Sequence, residues 1–458
     1  MDLREAAAGS SGEARGENPR FAAVSSDSRT IEDGALFVAL RGERFDGHQY
    51  LAAAHSRGAV AAMVDRRAPM DDGASPLPLL VVDDTRLGLG RLAAYWRSKF
   101  KLPLIAVTGS NGKTTVKEMI ASILAEHAGP GHSFATPGNL NNDIGLPLTL
   151  LRLRAAHTCA VVELGMNHPG ETAYLADIAR PTVALVNNAQ REHQEFMQSV
   201  EEVAHEHGAV FSALPADGVA VINADDTFAG YWRGVAAPRR MLEFGIERPA
   251  AVGGRFELRD FGSDIVLRAP DGEAPLRLRA AGVHNVRNAL AAAAAAAAAG
   301  VRLAAIARGL AGFAPVEGRL QRLAGKGGAI VLDDSYNANP DSVIAAIEVL
   351  AHASGRKFLV LGDMGEVGAR GAAFHAEIGR HARACQIDRL FLVGELAAHA
   401  AAAFGDGAEH YANIDALLAV LAPALEPGVT ALIKGSRFMR MERVVHALTG
   451  AMQTGEGH

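Results

Sequence analysis

The segment Thr108-Gly109-Ser110-Asn111-Gly112-Lys113-Thr114-Thr115 brings together the residue types that a phosphate chain requires. Glycines let the backbone wrap an anion. Successive N–H groups and a helix N-terminus attract phosphate, the Lys113 ammonium can reach β and γ oxygens, and the Thr114 hydroxyl can ligate magnesium. A run of buried-strand character, LPLIAVTG, leads into the segment, and VKEMIASILAEH, with helical apolar spacing, follows it. Strand, glycine turn and helix in that order describe a nucleoside triphosphate site. The spacing differs from the common Walker pattern, because two residues rather than four separate Gly109 from Gly112-Lys113.

A second group of polar residues closes other strand-like runs. Glu163 ends CAVVE and is a hard oxygen ligand suited to magnesium. TVALVNN ends in Asn187, and GVAVINADD ends in Asn223 to Asp226. These runs alternate with helical segments, as in a parallel sheet covered by helices, where ligands sit at the carboxyl ends of strands. The phosphate segment, Glu163, Asn187 and Asn223 to Asp226 are therefore expected to converge on one crevice.

The elements that must position this chemistry fall into an α/β chain of three units. The 458 residues exceed one ordinary core. Residues 1–20, rich in Gly, Ser, Ala and charge, read as a solvated leader, and MQTGEGH at the other end as a frayed tail. Residues 21–100 form a small α/β unit with strands expected in ALFVAL, AVAAMV and PLLVV. Residues 101–314 form the central parallel-sheet unit with the phosphate loop. Its nine-alanine run, Ala291–Ala299, reads as a helix closed by Gly300 rather than a membrane span. Residues 315–458 form a third, doubly wound unit with strands expected in AIVLDDS, KFLVLGD, RLFLVG and TALIKGS.

The net charge of -6 gives no electrostatic footprint for nucleic acid or an anionic membrane. Two cysteines, Cys159 and Cys385, are too few for a disulfide framework or a zinc site. The start of the chain has no apolar signal region, so the expected compartment is the cytoplasm, with monomer as the default state.

The compact GxxGKTT loop resembles that of Mur ligases and folylpolyglutamate synthetases. Further segments resemble Mur ligases in order: Thr136 to Asn142, Glu163 to Asn167, Gly282 with His284, Asn285 and Asn288, and Gly318-Arg319. DDSYNANP from Asp333, LGDMGE from Leu361, and Lys434-Gly435-Ser436-Arg437 resemble the member that performs the dipeptide-adding step. The likeness runs from about Phe21 to Leu448. It implies a P-loop ATPase-like central domain, a Rossmann-like C-terminal domain, ATP with Mg2+, and the addition of D-alanyl-D-alanine to UDP-N-acetylmuramoyl-tripeptide through an acyl phosphate.

Residue by residue, the resemblance implies that Lys113, Glu163, His193 and Arg319 take part in catalysis. Thr114, Glu163 and His193 would hold metal. Gly109 to Thr115, Asn288, Arg319 and Asp334 would bind ATP, with Asn288 facing adenine and Asp334 the ribose. Ser28, Arg29, Gly42, Phe45, Asp46 and His48 would meet the uridine nucleotide. Thr136, Asn139, Asn141 and Asn142 would meet the rest of that substrate. Tyr336, Asn337, Asn339, Lys434, Ser436 and Arg437 would serve the dipeptide and ATP. His207 departs from the pattern, because many Mur ligases carry there a carbamylated lysine that contacts magnesium, and imidazole cannot be carbamylated in that way. Either neutral His207 contacts metal or substrate, or this chain does without that group. Rival readings are a ligase for another amine, whether diaminopimelate, lysine or the glutamate of folate, and a nucleotide-sensing module with an inert ATP site.

Overall fold

The computed structural model describes residues 1–43, 45–67 and 75–450. The terminal MQTGEGH, read above as a frayed tail, lies outside them.

Four sheets organise the chain. The first has five strands in the order Glu13–Arg15, Leu79–Val82, Ala61–Asp65, Ala35–Val38, Ala23–Ser25. Only its Glu13–Arg15 edge is antiparallel. The central sheet has six parallel strands in the order Arg240–Phe244, Val219–Asn223, Val183–Val186, Leu104–Thr108, Cys159–Glu163, Ser133–Ala135. Leu104–Thr108 lies where the chain's progress across the sheet reverses, the place at which such sheets open a crevice. The C-terminal sheet also has six strands, Gln321–Ala324, Ile330–Asp334, Val429–Lys434, Arg356–Gly362, Arg389–Val393 and Ala408–Tyr411 in spatial order, with the first antiparallel to the second.

An antiparallel three-stranded sheet, Gly253–Arg259, Gly262–Ala269 and Gly272–Leu278, was not expected from the strand and helix alternation. Its signals are local: two tight turns, Asp260-Phe261 and Pro270-Asp271, separate runs of alternating burial. It packs on the helix Val283–Ala298, which holds most of the alanine run. Ala291 to Ala296 are fully buried, and their small side chains let this helix lie close to the central strands and to the helix Lys113–Ala128. No helix among the described residues is long and apolar enough to cross a membrane.

The solvated leader is a correction. Residues Leu3–Ser10 form a helix capped by the Asp2 carboxylate, and Glu13–Arg15 extends the first sheet. Leu3, Ala6, Ala7 and Ser10 are buried, a spacing of three and four that defines one helical face. Composition concealed that face because its residues are small. Glu5 anchors the helix to Tyr95 of the helix Thr85–Ser98 and to Lys99, which follows that helix. Leu3→Ala should therefore destabilise the first unit by roughly 2–5 kcal/mol, as for other buried leucines. Urea denaturation checks this, and an unchanged midpoint would mean that the helix does not dock.

Candidate active site

The buried strand Leu104–Thr108 delivers the phosphate loop at its carboxyl end, and the helix Lys113–Ala128 begins directly after Gly112. Gly112 has φ +81°, and a Cβ there would stand 2.5 Å from Asn288 Oδ1, so glycine is required on both counts. The loop is braced from the neighbouring strand end. Ser110 N–H donates to Asn188 O at 3.0 Å, Asn111 N–H to Asn188 Oδ1 at 2.8 Å, and Asn187 Nδ2 to Asn111 O at 2.8 Å. Asn187 and Asn223 are buried and join each other beneath the loop, so they support the crevice rather than line it.

The cleft above the loop has a volume of about 710 Å³ and lies between the central and C-terminal units. Ser110 to Thr115, Asn141, Asn142, Glu163, His193 and Asn288 line one side. Arg319, Asp334, Tyr336, Asn337, Asn339, Lys434, Ser436 and Arg437 line the other. Residues separated by more than 300 positions thus meet; of the residues expected at the central strand ends, the phosphate loop and Glu163 line the cleft, whereas Asn187 and Asn223 to Asp226 do not. Gly109 turns the backbone below this lining with φ +131°.

Glu163 is 1 % exposed. Its Oε1 accepts hydrogen bonds from Thr114 Oγ1 at 3.2 Å and Asn141 Nδ2 at 2.7 Å, whereas Oε2 is buried without a protein partner. An orphaned carboxylate oxygen beside a threonine hydroxyl and a phosphate loop fits a hard divalent cation. His193 lines the same cleft, but its ring faces other groups: Nδ1 is 2.6 Å from Glu366 Oε2, and Nε2 is 3.7 Å from Glu192 Oε2. No cluster of three His, Cys, Asp or Glu forms a ready metal cage among the described residues.

Several expected contacts are already engaged within the protein. Asn288 Oδ1 accepts from Asn187 Nδ2 at 3.0 Å, and its own Nδ2 donates to Asn285 at 3.1 Å. Asp334 accepts from Lys434 Nζ at 2.6 Å and from Leu320 N–H at 3.1 Å. Burial raises the Asp334 pKa, against the lowering effect of Lys434. Ser436 Oγ donates to Ala338 O at 3.0 Å. The Arg319 guanidinium stacks over Tyr336 at 4.4 Å from the ring centre. Thr136 does not reach the cleft: it is buried, and its hydroxyl accepts from Glu163 N–H at 3.0 Å, so it supports the Glu163 strand. Asn139 is exposed outside the cleft lining.

The expected uridine-nucleotide residues stand apart from this cleft, at the carboxyl ends of the parallel strands of the first sheet. Asp46, His48, Arg41 and Asp65 form one charged cluster there, with His48 Nε2 accepting from Asp65 N–H at 3.1 Å. Phe45 is exposed beside Gly42, and Arg29 pairs with Asp27 near Ser28.

The two sides of the cleft also touch directly. Asn111 in the phosphate loop and Asn339, which caps the helix Pro340–Ala351, exchange amide hydrogen bonds of 2.9 and 3.3 Å. Arg191 pairs with Asp341 at 2.6 Å and with Glu377 at 2.8 Å. Arg191 and Glu192 were missed from the sequence. Their only signal is a charged run, Arg191-Glu192-His193, in the loop after a buried strand.

His207 is not a cleft residue. It is fully buried, with Nδ1 2.9 Å from Thr108 Oγ1 and Nε2 2.7 Å from Glu192 Oε1. Burial lowers its pKa, against the raising effect of Glu192. Neither direct contact with metal nor with substrate is open to it.

His284, at the start of the alanine helix, gives the fold a pH dependence. Burial, with Lys434 and Arg287, pushes its pKa down to about 4. The unfolded chain, with a histidine pKa of about 6.5, binds the extra proton between these two values. This contribution is therefore complete above about pH 6.5 and is lost as pH falls toward 4. His284→Gln should flatten that part of the melting temperature against pH, and an unchanged slope would place its origin elsewhere.

Known proteins share this architecture. Three family models match successive parts of the chain: Mur ligase family, catalytic domain, at residues 20–97; Mur ligase middle domain, at 107–296; and Mur ligase, glutamate ligase domain, at 318–437. The UDP-N-acetylmuramoyl-tripeptide--D-alanyl-D-alanine ligase of Escherichia coli (strain K12) is 42% identical over 95% of this chain and 96% of its own length. The crystal structure of MurF from Acinetobacter baumannii superposes with a TM-score of 0.90 at 34% identity, covering 98% of this chain and 99% of that one. The MurF ligase from Thermotoga maritima in complex with ADP superposes at 0.80 with 26% identity, covering 93% and 97%. With a phosphate loop at the switch of the central sheet, a second α/β unit closing over it and all three family models matched in order, the chain belongs to the Mur ligase family.

Proposed function

We propose that the chain joins D-alanyl-D-alanine to UDP-N-acetylmuramoyl-tripeptide at the expense of ATP, forming the UDP-muramoyl pentapeptide precursor of peptidoglycan. The observation that carries this reading is the cleft, where the phosphate loop and Glu163 face Tyr336, Asn337 and Arg437 of the DDSYNANP and KGSR segments. In this reading residues 101–314 take ATP and residues 315–458 the dipeptide. Residues 21–100, together with the folded segment 1–20, take the uridine nucleotide.

A tripeptide carboxylate oxygen attacks the γ-phosphorus, the bond from that phosphorus to the β-bridging oxygen breaks, and ADP leaves. The dipeptide amine then attacks the acyl carbon of the acyl phosphate, loses a proton and expels inorganic phosphate. Phosphoryl transfer needs positioning and charge stabilisation above all. The loop N–H groups and Lys113 bind the phosphates, and Arg319 is placed to neutralise charge from the opposite wall. Thr114 and Glu163 would hold Mg2+, which supplies charge neutralisation on the phosphates. His193 lines the same end of the cleft, in contact with Glu192 and Glu366. Asn111–Asn339 and Arg191–Asp341 close the cleft and exclude water from the acyl phosphate. In this reading the reaction takes place in the cytoplasm, with a monomer as the default state.

The test is phosphate release with ATP, magnesium, the UDP-linked tripeptide and D-alanyl-D-alanine, each omitted in turn. Release that needs both the tripeptide and the dipeptide, with a pentapeptide product by mass, supports the reading. Release with another amine, or none at all, overturns it.

A further inference from the structure

Glu192 is a buried carboxylate at the phosphate end of the cleft, and the mechanism above leaves it without a role. Its two oxygens are held differently. Oε2 accepts from Lys113 Nζ at 3.2 Å, and Oε1 faces His207 Nε2 at 2.7 Å. His207 Nδ1 in turn meets Thr108 Oγ1 at 2.9 Å, on the last residue of the strand that carries the phosphate loop. Four side chains therefore run in series from that strand to the ammonium of Lys113. An ammonium on one oxygen and an imidazole nitrogen on the other are the partners a charged, buried carboxylate requires. With a neutral imidazole protonated at Nε2, Nε2–H donates to Glu192, and the single Thr108 hydroxyl proton is shared between His207 Nδ1 at 2.9 Å and Leu164 O at 3.1 Å, so every member has a partner.

Lysine is a flexible point charge, and holding it in one place costs rotamer freedom. Among the described residues, Lys113 Nζ is otherwise tied only to Ser110 O, at 3.1 Å. A carboxylate fixed from behind sets where the ammonium rests before phosphate arrives. We infer that Glu192 is a positioning residue for Lys113, and that His207 acts through it by fixing the carboxylate to the Thr108 strand end. The negative charge that an imidazole at position 207 cannot present is thus supplied to the cleft by Glu192. This rests on the nucleotide-site reading above.

The test is a cycle of Glu192→Gln, Lys113→Ala and the double variant, read by steady-state kinetics and by calorimetric titration with ADP. In the otherwise unchanged protein, Glu192→Gln should lower kcat at least about tenfold with KM for ATP changed less than about threefold. The lost hold on Lys113 slows phosphoryl transfer, while the lost anion offsets any loss of phosphate binding. In the Lys113→Ala protein the same substitution should leave residual kcat unchanged or higher, and should tighten ADP about 3–10-fold. There Glu192 is an uncompensated buried anion beside the phosphates. His207→Ala should lower kcat in the same direction, and should cost less than about twofold when added to Glu192→Gln.

A merely structural carboxylate would lower kcat equally in both Lys113 backgrounds, and that result overturns the inference. So does an ADP affinity of the Lys113→Ala protein that ignores Glu192→Gln. If Glu192→Gln does not fold, His207→Ala with and without Lys113→Ala carries the same comparison. Absence of ligation by the wild-type protein would sink the proposed reaction, whereas the ADP cycle judges the inference separately.

Discussion

Lys113→Ala is expected to lose about 10²–10³-fold or more in kcat, the scale on which a single well-placed charge donor acts on a transition state. The ammonium lies at the N-terminus of the helix Lys113–Ala128, beside the loop N–H groups, so it adds to a field already directed at phosphate. Alanine keeps the helix but removes the only cation contributed by the loop itself. Glu192 loses its Lys113 partner and keeps His207 and the more distant His193, so some stability is lost as well. Measuring the melting temperature beside turnover separates the two effects. A folded Lys113→Ala protein with wild-type turnover would remove the loop from the chemistry and leave an ATP-binding module.

Glu163→Gln is the second large effect. The amide oxygen can keep the hydrogen bonds from Thr114 and Asn141, while the orphaned Oε2 becomes an NH2 group that cannot ligate a cation. Turnover should fall about 10²-fold or more. The magnesium concentration for half-maximal rate should rise about 10–100-fold, at least the range seen when the partner of a metal ligand is lost. Stability should not fall, because a buried carboxylate with one unpartnered oxygen is replaced by a neutral group. An unchanged magnesium dependence would take Glu163 out of the cation site, whatever the rate.

The phosphate loop was legible because its chemistry is local. Gly109, Gly112 and Lys113 lie within five residues, and the strand before them and the helix after them have their own periodicities. The inner parallel strands of all three units were legible for the same reason, as apolar runs of about the right length, and so was the alanine helix, whereas the edge strands Ala23–Ser25, Ser133–Ala135, Arg240–Phe244 and Ala408–Tyr411 were not anticipated. The Leu3–Ser10 helix and the three-stranded sheet also left local traces, the spacing of buried small residues and the Pro270-Asp271 turn. Composition and the dominant strand and helix alternation outweighed those traces.

What no reading along the chain could decide is which polar side chains reach the cleft and which are used up beneath it. Asn187, Thr136 and His207 carry the same donors and acceptors as residues that line the cleft, yet each is buried with protein partners. Glu192 has no motif, and its importance exists only because Lys113, His207 and Thr108, as many as 99 residues apart, meet around it. Hydrogen-bond satisfaction is settled by three-dimensional neighbours, since a buried group must take whatever partner the packing brings. The sequence by itself determined the inner parallel strands, the phosphate loop and the family. Tertiary structure alone decided which side chains face the substrate and which hold those side chains in place.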